Sequence, residues 1–280
     1  MAIPNVAHFV WGLKPAPEPF HLVHYLCVES CRRVHRPERI VLHCDHRPYG
    51  SYWDAIEPHV TLAPAELVPE VLDAEFDEQL APAAYRYAHH SDFVRLDALI
   101  ETGGLYADLD TLFVRPFPEE VTAAKFVLGR EDDVRDELTS VLRPSLCNAL
   151  LLSEPRATFA VLWRRLMKSA LNGSWSNHST LLPYELSVRM PDAVRVEPRR
   201  SFYHYGPSRE GVTSLLERLD DDTDGILSVH LWAHLWWDEA RRDFSGVHAG
   251  LLTEDYVRRV DTTYNVLARE FLPGLDGETG

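Results

Sequence analysis

The stretch that decides the fold reads GGLYADLD and occupies residues 103–110. The two glycines are typical of a helix end, and Leu105–Leu109 is predicted as a short strand. Alternate side chains of a strand point to the same side, so Asp108 and Asp110 would present two carboxylates together at its end. Carboxylate oxygens suit Mg²⁺ or Mn²⁺. The pair could hold a metal, but an Asp-x-Asp pair taken alone is more often a solvated strand end, so the metal site depends on the surrounding sequence.

A helix is predicted immediately before this stretch, from an N-cap at Ser91 to Thr102. Within it, Asp92 and Arg95 are three residues apart and share one helix face. They can hold each other while still reaching a polar ligand. The pattern alone slightly favours the other interpretation, a surface ion pair, which contributes about 0.2 to 0.5 kcal/mol.

The rest of the chain alternates between strand and helix patterns, which indicates an α/β sheet with crossover connections. The predicted strands are Val6–Trp11, Arg39–Cys44, Lys125–Gly129, Ala149–Leu152 and Ile226–Trp232. The predicted helices are Pro19–Val34, Ala157–Leu171, Leu181–Met190 and Thr253–Phe271. The acidic run at residues 131–137 is interpreted as a solvated loop. No repeat or linker divides the chain, so one domain over residues 1–280 is expected.

The composition narrows the function classes. Lys and Arg number 28 and Asp and Glu number 43 among 280 residues, so the net charge is −15. This acidic balance argues against nucleic acid and anionic membrane as partners, because both need clustered cations. No apolar run reaches the roughly 18 residues of a membrane span, and the first residues lack a signal-peptide pattern. A cytoplasmic location is expected.

Three segments together resemble retaining glycosyltransferases with a sugar-binding DXD region. The segment SDFVR at residues 91–95, followed by GGLYADLD, is similar to that region in the mannosyltransferase-like family and in the glucosyltransferase domain of the large clostridial toxins. HFVWG at residues 8–12 resembles their first strand, and VHLWAHLW at residues 229–236 resembles their closing motif. The resemblance implies a GT-A-type α/β fold with a mixed central sheet flanked by helices. Residues 1–115 would form the nucleotide-sugar-binding half, and residues 116–280 the acceptor half with the closing segment.

The resemblance also implies roles for residues that bind the donor. Trp11 would stack on the nucleotide base beside Val10, and Tyr106 would line the donor pocket. Asp92 and Arg95 would bind hydroxyls of the donor sugar.

Further implied roles lie around the metal and the reacting sugar. Asp108 would contact the ribose and the metal, and Asp110 would bind the metal directly. Asn148 matches a residue near the donor sugar. His230 would be a third metal ligand, with His234 as the alternative, and Trp236 would meet the β-phosphate side.

The implied activity is metal-dependent transfer of a hexose with retention of configuration, using Mn²⁺ or Mg²⁺. A UDP-hexose is the favoured donor and GDP-mannose the second; the acceptor could be a glycan, a protein or a small natural product. Two alternatives stay open. Asp108-Leu109-Asp110-Thr111 also fits a haloacid-dehalogenase-like phosphatase, with Asp108 as nucleophile and Asp110 as general acid. A catalytically inactive nucleotide-sugar-binding protein is the other.

Overall fold

The main sheet runs through the centre of the molecule. The computed structural model describes residues 3–15, 18–74 and 85–274. Within them the strands of the main sheet are β1 (Val6–Trp11), β2 (Arg39–Cys44), β3 (Val60–Pro64), β4 (Gly104–Ala107), β6 (Phe126–Arg130), β9 (Leu146–Ser153) and β10 (Arg195–Glu197). Their order across the sheet is β10-β6-β9-β4-β1-β2-β3. Two small two-stranded sheets accompany it, made by β5 (Thr111–Phe113) with β11 (Ser228–His230), and by β7 (Val134–Arg135) with β8 (Leu142–Arg143).

Helices cover both faces of the main sheet. They are α1 (Leu22–His35), α2 (Ser51–Ile56), α3 (Pro69–Leu72), α4 (Tyr85–Thr102), α5 (Glu119–Thr122), α6 (Thr158–Ala170), α7 (Leu182–Arg189), α8 (Arg199–Phe202), α9 (Arg209–Leu216), α10 (Glu254–Arg259) and α11 (Thr263–Ala268). Shorter helical turns occupy Glu57–His59, Asn177–Leu181, Pro191–Ala193, Ala233–Leu235, Ala249–Leu251 and Arg269–Phe271. Across the described ranges, no helix combines the length and the apolar character that a membrane crossing requires.

The sheet is mixed because one strand runs against the others. β1, β2, β3 and β4 pair in parallel, and so do β6 and β10. β9 lies between β4 and β6 and is antiparallel to both. The carboxyl ends of β1, β4 and β6 therefore meet at one edge of the sheet, which is where ligands bind in open α/β sheets. The predicted fold class, α/β with a mixed central sheet flanked by helices, is confirmed.

Alternate residues of the central strands pack into opposite layers. Leu105 and Ala107 of β4 belong to the core cluster that includes α1, whereas Tyr106 belongs to the cluster that includes α4 and α6. The same alternation occurs in β9, where Leu151 faces the α4 layer and its neighbour Leu150 faces the α1 layer. This period of two is what a strand buried on both faces requires.

The connection from α4 to β4 holds this edge in place. Gly103 and Gly104 have φ angles of 68° and 109°, so they end the helix as predicted. A Cβ atom at Gly104 would lie 2.3 Å from the backbone oxygen of Val6. A side chain at this position would therefore push β4 away from β1.

Several predicted boundaries were wrong. Ser91 is not an N-cap, because α4 begins at Tyr85 and Ser91 lies inside it. The strand predicted at Leu105–Leu109 ends at Ala107, and Asp108–Asp110 form a turn in which the Thr111 amide donates to the Asp108 carbonyl at 3.1 Å. Asp108 and Asp110 therefore do not lie on one strand. The turn, and not strand alternation, brings their carboxylates together.

The C-terminal predictions were also too long. The strand predicted at Ile226–Trp232 is limited to Ser228–His230, because Trp232 adopts a left-handed φ of 55°. The helix predicted at Thr253–Phe271 is broken after Arg259. A second helix begins after Thr262, whose hydroxyl accepts a hydrogen bond from the Asn265 amide.

Candidate active site

A cavity of about 240 Å³ opens at the edge where β4 and β6 end and β9 begins. Its lining includes most of the residues predicted for the site, namely Asp92, Arg95, Asp108, Asp110, Asn148, His230 and His234. These residues come from α4, the turn after β4, the middle of β9 and the segment that starts at β11. The fold therefore gathers in one place side chains that are up to 142 positions apart in the chain, the interval from Asp92 to His234.

Asp108, Asp110 and His230 form a cluster suited to a cation. Each offers a ligand atom, and these atoms all lie within 4.8 Å of one another. The turn after β4 brings the two aspartates together, and the pairing of Thr111 in β5 with His230 in β11 brings the histidine to them. His230 Nδ1 lies 3.3 Å from Asp110 Oδ1.

Backbone contacts hold Asp110 against the closing segment. Asp110 Oδ2 accepts a hydrogen bond from the Ala233 amide at 2.8 Å, and the Asp110 carbonyl accepts one from the Leu231 amide at 2.8 Å. One carboxylate oxygen is thus engaged by the protein, while Oδ1 faces His230. This division fixes the side chain and leaves an oxygen directed at the cluster.

Asp108 is positioned by Tyr106 and Arg95. The Tyr106 hydroxyl donates to Asp108 Oδ1 at 2.6 Å, and Arg95 Nη2 lies 3.3 Å from the same oxygen. Burial, with Asp110 adding to it, raises the pKa of Asp108 despite the opposing effect of Arg95. The carboxylate pair thus carries a local excess of negative charge that a bound cation would relieve.

A second network, next to this cluster, is buried almost completely. Asp92 and Arg95 are 7% and 4% exposed, and Arg95 Nη2 lies 3.1 Å from Asp92 Oδ1. Asn148 Nδ2 donates to Asp92 Oδ1 at 2.7 Å, and Arg95 Nη1 donates to the Asn148 carbonyl at 2.7 Å. Because Asp92 and Arg95 are buried, their interpretation as a surface ion pair is wrong.

A strand irregularity turns Asn148 toward this network. The register between β6 and β9 jumps from Leu128 paired with Leu151 to Gly129 paired with Cys147. Residues 148–150 of β9 therefore bulge away from β6, and such bulges re-aim side chains. Asn148 is 8% exposed and lines the cavity.

His178 completes the surroundings of Asp92. His178 Nε2 lies 2.9 Å from Asp92 Oδ2, and His89 Nδ1 lies 4.0 Å from the same oxygen. Burial alone would raise the pKa of Asp92, but Arg95 and the two histidines outweigh it and hold that pKa well below its ordinary value. Asp92 is therefore ionised, so that it accepts hydrogen bonds and does not donate them. The sequence offered no signal for His178, because its π-helical turn at Asn177–Leu181 lies in a segment without a recognisable motif.

Trp11 and Val10 lie at the carboxyl end of β1, one strand away from the aspartates. The parallel register pairs His8 with Tyr106, which places Trp11 level with the turn after β4. The Trp11 ring meets Phe20 and His24 edge-on, at 5.1 and 4.8 Å between ring centroids. Its indole N–H is buried, and none of the described residues accepts a hydrogen bond from it.

Trp11, His24 and Trp237 form an aromatic row that leads from β1 to the closing segment. His24 stacks on Trp237 at 5.1 Å with an angle of 16° between the rings. Trp237 and His24 line a more open cavity of about 410 Å³ together with Asp110 and His234. The two cavities share Asp110 and His234, and the second reaches His24 in α1.

The structure does not bring Trp236 to either cavity. Its ring is fully buried, and its indole N–H donates to the Leu231 carbonyl at 2.5 Å. Its neighbour Trp237 is the tryptophan that lines the opening beside Asp110. The helical turn at Ala233–Leu235 rotates the two positions relative to an extended strand.

His234 lies at the mouth of the cavity and outside the three-residue cluster. His234 is exposed, and its ring lies 5.4 Å from that of Trp175. Among the described residues, His230 is the histidine that the cation cluster includes. Trp175, Ser179 and Thr180 also line the cavity and were not predicted from the sequence.

Glu131 is a further cavity residue that was not predicted from the sequence. The interpretation of residues 131–137 as a solvated loop was wrong at its first position, because Glu131 is 6% exposed and lines the cavity. Asp136 is 8% exposed and also departs from that interpretation. The available signal was the position of Glu131 directly after β6, at the same sheet edge as Asp108.

Comparisons with known proteins show the family to which the chain belongs. The family whose sequence model matches residues 24–128 is the glycosyltransferase sugar-binding region containing a DXD motif. Glucan organizing enzyme 1 of Cryptococcus neoformans var. grubii serotype A (strain H99) is 30% identical over 291 aligned residues, which cover 100% of this chain and 73% of that protein. The chain belongs to this family of DXD-containing glycosyltransferases.

The chain is also similar to two solved glycosyltransferase structures. Mouse xyloside xylosyltransferase 1 in its apo form has a TM-score of 0.48 and 11% identity, covering 80% of this chain and 96% of the mouse chain. PaToxG glycosyltransferase has a TM-score of 0.45 and 14% identity, covering 68% of this chain and 71% of its own. The mixed sheet and the family agree with the GT-A-type fold that the resemblance implied.

Proposed function

We propose that the chain transfers a hexose from a nucleotide sugar to an acceptor with the help of a divalent cation held by Asp108, Asp110 and His230. The observation that carries the proposal is the meeting of these three ligand atoms within 4.8 Å at the edge of the sheet. Two carboxylates and one imidazole form a mixed donor set that suits Mn²⁺, with Mg²⁺ as the second choice. When bound there, the cation neutralises negative charge on the diphosphate of the donor.

The residues beside the cation cluster are proposed to bind the sugar. Asp92 is ionised and offers acceptor oxygens, while Arg95 and the Asn148 amide offer donors. A sugar hydroxyl can both donate and accept, so a cavity with fixed groups of both kinds orients the ring. Because Arg95 also contacts Asp108, the sugar ligands and the cation ligands form one rigid unit.

The nucleotide is proposed to lie along the aromatic row at β1. Trp11 would stack on the base beside Val10, as the resemblance implied. Tyr106, which was predicted to line the donor pocket, is 1% exposed and outside the lining of both cavities; its hydroxyl holds Asp108 instead. A UDP-hexose is the favoured donor and GDP-mannose the second. This arrangement assigns residues 1–115 to the donor and residues 116–280 mainly to the acceptor and the closing segment.

The acceptor is proposed to be a glycan. The relative in Cryptococcus carries the name of a glucan organizing enzyme, and the aromatic ring of Trp175 at the cavity mouth provides an apolar face of the kind sugars pack against. We also propose that the transfer retains the anomeric configuration and that the protein acts in the cytoplasm.

The two alternatives fit these observations less well. The family to which the chain belongs is one of glycosyltransferases and not of phosphatases. A catalytically inactive nucleotide-sugar-binding protein would lack some of the polar residues that transfer needs. Here one cavity is lined by all four of them, namely Asp92, Arg95, Asp108 and Asp110.

The proposal is tested by incubating the protein with UDP- and GDP-hexoses and measuring release of the nucleoside diphosphate. We expect release that depends on Mn²⁺ and is abolished by EDTA, with more product when a soluble glucan oligosaccharide is added. Release of inorganic phosphate from phosphomonoesters, without diphosphate release from any donor, would instead support the phosphatase.

Replacing Trp11 by Ala is expected to weaken the binding of UDP. Base stacking on an aromatic ring contributes about 1 to 3 kcal/mol, so the Kd should rise about 5- to 150-fold. Isothermal titration with UDP and Mn²⁺ measures it. Trp11→Phe keeps an aromatic face and is the matched control, expected to lose less. Equal affinities for the Ala variant and the parent, with both folded, would show that the base lies elsewhere.

A further inference from the structure

A buried carboxyl group lies beside the proposed sugar ligands. Glu131 directly follows the carboxyl end of β6 and lines the same cavity as Asn148. β6 pairs with β9, and the register places Arg130 opposite Leu146. Glu131 therefore lies next to the start of β9, the strand that also carries Asn148.

The order of the strands places Glu131 beyond the diphosphate and beside the sugar. From β1 to β6, the sheet edge presents the proposed base-stacking residue Trp11, the proposed cation ligands after β4, the proposed sugar ligand Asn148 in β9, and then Glu131. A donor laid along this edge from base to diphosphate to sugar has its hexose beside β9. The part of the hexose that is remote from the diphosphate then lies nearest to the end of β6.

Glu131 has an oxygen that the fold leaves without a partner. Glu131 is 6% exposed, and within the described part of the chain nothing donates a hydrogen bond to its Oε1. Buried polar atoms are nearly always hydrogen-bonded, so such an oxygen in the lining of a cavity needs a ligand or a water as its partner. The two acidic residues that follow it are engaged, since Asp132 pairs with Arg199 and Asp133 pairs with Arg130.

We propose that Glu131 is a specificity-determining residue that accepts a hydrogen bond from a hydroxyl of the transferred hexose, on the side of the ring remote from the diphosphate. The inference rests on the proposed function and concerns the donor sugar. A donor that lacks this hydroxyl would leave Oε1 buried and unpaired, and a site built to hold a hydroxyl rejects such an analogue. Glu131 takes no part in the bonds that form or break, so this role is compatible with transfer that retains the anomeric configuration.

The surroundings of Glu131 suit a neutral hydroxyl group as its partner. Burial raises the pKa of Glu131 to about 7, although the side chains of Ser145 and Cys147 lower it. Asp132 adds to the rise and Arg130 opposes it. An oxygen of a carboxyl group can accept a hydrogen bond whether the group is ionised or protonated. A sugar hydroxyl that donates to Glu131 therefore offsets part of the cost of burying the group in either state.

The test uses the full chain with saturating Mn²⁺ and with water as the acceptor, so that no acceptor sugar is involved. The parent's preferred donor is first selected among UDP-glucose, UDP-galactose and GDP-mannose by the rate of nucleoside diphosphate release. That donor is then compared with analogues that each lack one hydroxyl of its hexose. We expect at least one analogue to have a kcat/KM that is lower by about tenfold or more in the parent, as for the loss of a hydrogen bond to a charged group.

Glu131→Met keeps much of the side-chain volume but offers no carboxyl oxygen. In this variant, the penalty for that one analogue should disappear, while penalties for hydroxyls held by other residues should remain. Glu131→Gln keeps an oxygen that can accept a hydrogen bond and should show an intermediate penalty. The Kd for the nucleoside diphosphate, which carries no sugar, should be unchanged in both variants. Asp133→Asn, two positions away and exposed, is the matched control and should keep the parental kcat/KM for every donor.

The outcomes separate this inference from the proposed function. If the parent releases nucleoside diphosphate but each analogue has the same penalty in the parent and in both Glu131 variants, the role of Glu131 is refuted and the proposed function stands. An effect of the variants that appears only with a soluble glucan oligosaccharide as acceptor, and not with water, would also refute it, because Glu131 would then contact the acceptor. If the parent binds no nucleotide sugar and releases no diphosphate from any donor, the proposed function itself fails.

Discussion

Asp110→Asn is expected to lower metal-dependent turnover of the nucleotide sugar about 100-fold or more while leaving the fold intact. The substitution removes the negative charge that faces His230 at 3.3 Å, but an amide oxygen can still accept the hydrogen bond from the Ala233 amide. Loss of charge stabilisation at a developing anion typically costs a factor of about 10² to 10³. Release of UDP from UDP-glucose with Mn²⁺ measures the effect.

Metal affinity provides an independent readout of the same change. The Kd for Mn²⁺, measured by titration without any donor, should rise at least about tenfold, since even groups that only support metal ligands contribute 10- to 100-fold. Asp133→Asn again serves as the charge-matched control, because Asp133 is exposed and pairs with Arg130 on the surface. Unchanged Mn²⁺ affinity and turnover in Asp110→Asn would remove Asp110 from the site.

Arg95→Met is expected to lower the free energy of unfolding by about 3 to 5 kcal/mol and to abolish turnover. The guanidinium group lies 3.1 Å from Asp92 and 3.3 Å from Asp108, and it donates to the Asn148 carbonyl. Removing one partner of a buried ion pair leaves an uncompensated charge, and here it leaves two carboxylates. Urea unfolding, followed by fluorescence, measures the loss.

A surface ion pair between α4 and α6 supplies the comparison. Arg164 Nε lies 2.8 Å from Asp97 Oδ1, and the Asp97 side chain is 51% exposed. Asp97→Asn should therefore cost less than about 1 kcal/mol. A loss in Arg95→Met no larger than that in Asp97→Asn would mean that the buried network does not hold the site together. The double variant Asp92→Asn/Arg95→Met should be less destabilised than the sum of the single variants, because the two residues are in contact.

Local sequence patterns correctly predicted the elements whose structure is determined by residues adjacent in the chain. β1 and β2 have the predicted bounds, and the glycine pair ends α4 where expected. The i,i+3 spacing correctly placed Asp92 beside Arg95. Whether that pair was buried depended on Asn148 and His178, which come from distant segments, and spacing alone left the question open.

Tertiary packing explains the predictions that were wrong. Ser91 has the chemistry of an N-cap, but α4 continues through it to Tyr85, with His89 and His90 buried against neighbouring elements. Charge patterning marked Glu131 as solvated, because other acidic residues follow it closely in the chain. The strand β6 ends immediately before it and turns it into the cavity. The offset between Trp236 and Trp237 arises from the left-handed backbone at Trp232.

The pairing of β5 with β11 brings distant parts of the chain together at the candidate cation site. Asp110 is hydrogen-bonded to the backbone of Leu231 and Ala233, and His230 reaches the cluster only while β11 stays paired. Any ligand that engages all three cation ligands therefore binds only those conformations in which the C-terminal segment is seated. By mass action, such a ligand suppresses local opening of that segment. Slower amide hydrogen exchange at Val229 and Leu231 would therefore report that the site is occupied, although its two aspartates lie more than a hundred residues upstream.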